Sequence, residues 1–156
     1  MKPKALSLVG SLVIAYSAAA IGNLATIPNI PTWYATLEKA PFNPPNWVFG
    51  PVWTILYTLM GVSLWLVWTA KTSLSKKRAY IAFGSQLALN ALWSLVFFGA
   101  HQLWLSVAII VVLLAAILWT MYEFHKISRL SAYLLIPYPC WAGFATSLTV
   151  AVALLN

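Results

Sequence analysis

Between Trp33 and Tyr57 the chain reads W-Y-A-T-L-E-K-A-P-F-N-P-P-N-W-V-F-G-P-V-W-T-I-L-Y, and here the side chains suited to chemistry crowd together. Indole and phenol rings offer flat faces to a flat apolar ligand, and prolines hold such faces in place without regular backbone hydrogen bonds. Further along, Gln86, Asn90, Trp93 and Phe97 share one face at helical spacing. Tyr138, Trp141, Ala145 and Thr149 share another, as do Trp53 and Tyr57. Such groups serve recognition. Groups for bond-making are scarce: the chain has no Asp, and its two Glu residues are Glu38 and Glu123. His101 and His125 stand at opposite ends of one apolar run, about 36 Å apart at 1.5 Å per residue, so they cannot share a metal or a haem iron. Walker, Rossmann and Ser/His/Asp patterns are absent from suitable contexts, and no metal site is expected. A proton-coupled carrier would place an ionisable group inside a span, and no span interior holds one.

The elements that position these groups are membrane helices. The chain has 156 residues, 62% hydrophobic and 7% charged, against about 25% charged in soluble domains. Apolar stretches at about 5–27, 47–70, 79–99, 104–122 and 131–155 are each near the ~20 residues that cross a bilayer. The ~10-residue alternating segments of a barrel are missing. The predicted fold is therefore a single all-α membrane domain over 1–156, a five-transmembrane-helix bundle. With five spans, Lys2, Lys4, Lys71, Lys76, Lys77, Arg78, Lys126 and Arg129 fall on one side and only Lys39 on the other. The positive-inside rule then predicts a cytoplasmic N-terminus and an outside C-terminus in a bacterial inner membrane. The net charge of +7 suits anionic lipid heads, with Lys76-Lys77-Arg78 against them, and not nucleic acid. The first span outruns the 7–15 apolar residues of a signal peptide. It carries Ser7, Ser11, Ala15 and Ala19 on a face suited to close packing, so it is expected to be retained. Cys140, the lone cysteine, leaves no disulfide within the chain.

The long connection 28–46 holds Pro28, Pro31, Pro41, Pro44 and Pro45 and reads as a lid over one mouth. Residues 32–39 are predicted to make two helical turns with Thr32 as N-cap. Pro137 and Pro139 are expected to kink the fifth span beside Trp141. At 1.5 Å per residue, Trp53, Asn90, Trp93, Trp141 and Ala145 lie at similar depths, about 9–20 Å below the lid end. The same pattern serves an interhelical packing layer or a ligand pocket. Gly84, Ala88 and Ala91 form a small-residue face on the third span, a candidate homodimer interface. Trp65, Trp68, Trp104, Trp119 and Tyr122 read as interfacial anchors, and Glu123, His125, Lys126 and Arg129 as a solvated charged turn.

The pieces Trp33-Tyr34…Leu37…Lys39, Pro44-Pro45-x-Trp47-Val48-Phe49-Gly50-Pro51-Val52-Trp53-Thr54, Gln86-Leu87-x-x-Asn90-x-x-Trp93, Phe97-Phe98 and Pro137-Tyr138-x-x-Trp141-Ala142 stand in an order that resembles the TspO/MBR family of translocator proteins and tryptophan-rich sensory proteins. The likeness covers nearly the whole chain. It implies a five-helix bundle, often dimeric, that binds porphyrins such as protoporphyrin IX as ligands without a required cofactor, and also benzodiazepine-site ligands. It implies ligand contacts at Tyr34, Pro44, Trp53, Tyr57, Asn90, Trp93, Trp141 and Ala145; Trp33, Pro45 and Tyr138 join them on position. Trp53 and Trp141 also match tryptophans linked to light-dependent porphyrin breakdown in some bacterial members, which makes them the candidate catalytic residues. Two departures stand out. Lys39-Ala40-Pro41-Phe42 replaces the family's Lys-Pro-x-Trp inside the lid, and no Tyr followed by Lys or Arg comes after Trp141. Sterol recognition is therefore not expected. The expected function is tetrapyrrole binding by a translocator or sensor, with an oxygen- and light-dependent degrading enzyme and a tetrapyrrole transporter as alternatives.

Overall fold

The computed structural model describes residues 3–156; Lys2, counted above with the basic side, lies outside them. The order is α1 (Pro3–Asn29), α2 (Trp33–Thr36), a 3-10 turn (Asn46–Val48), α3 (Phe49–Thr69), α4 (Lys77–Ser94), a π turn (Leu95–Gly99), α5 (Leu103–Ile127), α6 (Arg129–Leu134) and α7 (Pro137–Leu155). Five helical stretches are long and apolar enough to span a bilayer, α6 and α7 together making the fifth. The protein is a multi-pass membrane bundle, and the predicted spans are all present.

Several ends differ for local reasons. Helix α1 runs through Pro28 because a proline in the last turn costs a single backbone bond. The Asn29 amide donates to the Ala25 carbonyl at 2.8 Å and Ile30 N to Thr26 O at 3.1 Å, so the lid begins at residue 30. Thr32 does not cap α2; its hydroxyl donates back to Pro28 O at 2.9 Å, and α2 stops after one turn where Leu37 turns extended. Pro137 and Pro139 open α7 in its first turn, where backbone N–H groups have no helical partner to lose. The kink is therefore a break between two helices. Helix α5 continues past residue 122 and carries Glu123 inward. Glu123 is buried and paired with Lys126 at 3.0 Å, a correction to the solvated turn expected there.

Helix α1 decides the shape of the bundle. Without a hydrophobic drive between helices in lipid, close backbone approach supplies the attraction. Ser11 and Ala15 of the expected small-residue face are buried, Ser7 and Ala19 are half-buried, and Ala18 beside them is buried as well. In the half away from the lid, α1 lies against α3: a Cβ added to Gly61 would stand 2.6 Å from Leu12 Cδ2 and 2.9 Å from Leu12 Cα. In the lid-side half it lies against the end of α4, where a Cβ on Gly22 would meet Ser94 at 3.0 Å and one on Gly99 would meet Ala25 at 3.2 Å. The same crossing corrects the proposed small-residue interface. Gly84 and Ala88 are exposed, whereas Ala91, one turn before Ser94, is 7% exposed and belongs to the core.

Gly61→Val is expected to lower stability by about 1–3 kcal/mol, because the backbone of Leu12 cannot give way as a side-chain tip can. Gly143→Ala, where a Cβ meets nothing within 4 Å, should leave the melting temperature in detergent unchanged or raised. Equal melting temperatures for the two variants would refute the tight α1–α3 contact.

Candidate functional site

A buried amide holds the centre of the bundle. Asn90 of α4 is 4% exposed; its Oδ1 accepts the hydroxyl of Tyr57 from α3, and its Nδ2 donates to the hydroxyl of Tyr138 from α7 at 2.8 Å. Three helices are joined by two bonds whose loss would strand buried polar groups. Above this floor stand aromatic walls. Trp53 leans on Tyr57 with centroids 5.5 Å apart and meets Tyr138 edge-on at 6.2 Å. Trp141 meets Phe49 edge-on at 5.8 Å, and Trp93 stacks on Phe97 at 5.3 Å. They surround a cavity of about 500 Å³, within the range of small-molecule sites.

The π turn sets the far wall. Ala100 N donates to Leu95 O at 2.9 Å, and the additional residue in this turn places Phe97 and Phe98 among the buried residues beneath the lid. Tyr34 packs on both rings and its hydroxyl donates to Asn43 at 3.3 Å. Burial pushes the Tyr34 phenol above its usual 10.0, with the Asn43 bond pulling partly back, so at neutral pH it remains a donor. Lys39 lies over the Tyr34 ring at 4.6 Å and donates to Leu37 O at 3.0 Å. It therefore strengthens the lid and is not among the residues lining the cavity. Two clasps hold the lid down. Asn156 exchanges two bonds with the Glu38 backbone, at 2.9 and 3.0 Å. On the other side His101, in the left-handed region at φ 56, stacks on Trp33 at 4.1 Å, with Nε2 3.1 Å from Asn29 Oδ1. The Asn29 Nδ2 is committed to Ala25 O, so His101 Nε2 is the donor.

Of the predicted contacts, Tyr34, Trp53, Tyr57, Asn90, Trp93, Trp141 and Ala145 line the cavity. Trp33, Pro44, Pro45 and Tyr138 do not. Trp33 is spent on His101, Phe97 and Phe98; Tyr138 lies beneath Asn90; Pro44 and Pro45 lead into the turn that starts α3. Sequence reasoning missed α1 as a wall: Tyr16, Ala19, Asn23 and Thr26 face the cavity, as do Asn46 and Trp47 ahead of α3. The small-residue face of α1 was the available signal, read there only as packing. Among the described residues no group of three or more His, Cys, Asp or Glu could hold a metal.

The fold and site define an integral membrane protein built around a small-molecule cavity. The model of the TspO/MBR family matches residues 11–155. A tryptophan-rich protein TspO of Archaeoglobus fulgidus is 39% identical over 97% of each chain. The human translocator protein is 42% identical over 77% of this chain and 72% of its own, and a tryptophan-rich sensory protein of Cereibacter sphaeroides is 36% identical over 80% and 77%. The chain belongs to the TspO/MBR family.

Asn90→Leu should destabilise the bundle by about 1–3 kcal/mol for each tyrosine hydroxyl left buried without a partner. Tyr138→Phe, which strands only the Asn90 Nδ2 donor instead of two tyrosine hydroxyls, should cost less. A thermal melt of the two variants in the same detergent decides this; a Tyr138→Phe loss equal to that of Asn90→Leu would contradict the central role of the amide.

Proposed function

We propose that this protein is a membrane receptor or translocator for tetrapyrroles such as protoporphyrin IX, held in the aromatic cavity under the lid. The observation that carries the reading is the pairing of about 500 Å³ of space with three tryptophan walls, Trp53, Trp93 and Trp141, around one polar centre at Asn90. Flat conjugated ligands gain most from such faces. Asn46 at the rim offers an amide to the carboxylate end of a porphyrin. Flat benzodiazepine-site ligands would compete for the same space. Trp53 and Trp141 act in this reading as stacking faces and not as reagents. The names of the translocator and sensory relatives agree with a binding role.

Titration of the protein in liposomes with protoporphyrin IX should quench tryptophan fluorescence saturably. Trp53→Ala or Trp141→Ala should each weaken affinity by roughly 10- to 100-fold, the loss of about 1.5–3 kcal/mol of aromatic burial. Unchanged affinity in both variants would reject this cavity as the site. Multiple turnovers of porphyrin loss in light, with the tryptophans intact, would replace the binding role by an enzymatic one.

A homodimer is proposed through the exposed Gly84 and Ala88 of α4, which permit close helix contact. Gly84→Leu should shift the mass of the detergent-solubilised protein toward monomer. A dimer of unchanged mass would place the interface elsewhere.

A further inference from the structure

The cavity has an opening that is not under the lid. Its lining residues from α4, the π turn and α7 are buried or half-buried, Asn90, Phe97 and Ala145 being among the buried ones. The exposed ones, Asn23, Ile27, Trp47, Gly50 and Thr54 among them, all belong to α1 or to the start of the second span. The crossing of α1 explains why. It touches α3 closely at Leu12–Gly61 and through the Trp65 indole, which donates to Lys4 O and Ser7 Oγ at 3.2 Å. It then departs toward Ser94 and Gly99. The last hydrogen-bonded bridge between the two helices is Tyr16, whose hydroxyl donates to Thr54 O at 3.0 Å and lies 2.8 Å from Thr58 Oγ1. Beyond it, toward the lid end, no hydrogen bond joins α1 to α3 among the described residues.

The geometry points to a lateral gate: we propose that the ligand enters and leaves the cavity directly from the bilayer, through a slot between the lid-side halves of α1 and α3. Tyr16 closes its inner end. Trp47, 74% exposed, stands at its outer lip, where an amphipathic indole suits the membrane interface. Gly50 forms one edge, and a Cβ there would meet nothing within 4 Å. Asn23 faces it from α1, an amide at a depth where a polar side chain exposed to hydrocarbon is otherwise costly. The slot selects ligands that dissolve in lipid and carry an apolar body with a polar group for Asn23. The lid, clasped at Asn156 and His101, then stays shut during exchange.

This inference rests on the binding reading above, and two measurements separate their failures. Protoporphyrin IX preloaded into liposomes should bind Gly50→Phe with association and dissociation both slowed about tenfold or more. His101→Ala, which loosens the lid, should associate within about twofold of the unaltered protein. An unslowed Gly50→Phe, or a His101→Ala that associates severalfold faster, would make the lid the entrance. Separately, bimane attached at Asn23→Cys in a Cys140→Ser background should be quenched by brominated acyl chains and spared by aqueous iodide. The reverse pattern would overturn the gate. Failure of protoporphyrin to bind at all rejects the tetrapyrrole reading alone, and the bimane result still decides whether the slot opens to lipid.

Discussion

The Asn90 amide is the constraint on which the rest of the bundle leans. A neutral amide with both ends occupied is one of the few polar groups that a dry membrane interior accepts, and it can serve two partners only if they approach from opposite sides. Tyr57 and Tyr138 meet that demand from α3 and α7. Their rings in turn support Trp53. Position and rotation of three helices are thereby coupled to a single side chain, and the void above it stays open because its walls are braced from below.

Small residues do complementary work. Gly61 and Gly22 let α1 come close to different neighbours at different depths. One helix seals the bundle at the end away from the lid and stands aside on the lid side. In water, hydrophobic burial would pull such a gap shut. In lipid there is no comparable force, so the helix follows its closest-packing partners.

Much of this was legible in the residues because membrane helices obey few rules. Length and apolarity located the spans, and helical spacing grouped Trp53, Asn90, Trp93 and Trp141 at a common depth. The misses have physical causes. Residues on α1 such as Ala19 and Gly22 carry no chemistry, so their part in the cavity depends on where the helix crosses, which is a tertiary fact. Trp33 and Tyr34 are adjacent and similar, yet one faces His101 and the other the cavity; the step of about 100° between neighbours on α2 separates them. Glu123 reads as solvated until α5 extends far enough to pair it with Lys126. Ala91 shares a face with Gly84 on a helical wheel, but that face is buried only toward its lid end.

The π turn at Leu95–Gly99 places a condition on chain length. Its extra residue is what sets Phe97 and Phe98 beneath Tyr34 before the chain reverses at His101. Removing any one residue from this stretch would restore a regular helix and rotate all that follows by about 100°, turning aromatic rings off the roof of the cavity. Amino-acid type could vary here within limits, but residue number cannot. The linker between α3 and α4 is under no such condition, so insertions and deletions should accumulate there and be missing from the π turn as the family diverges.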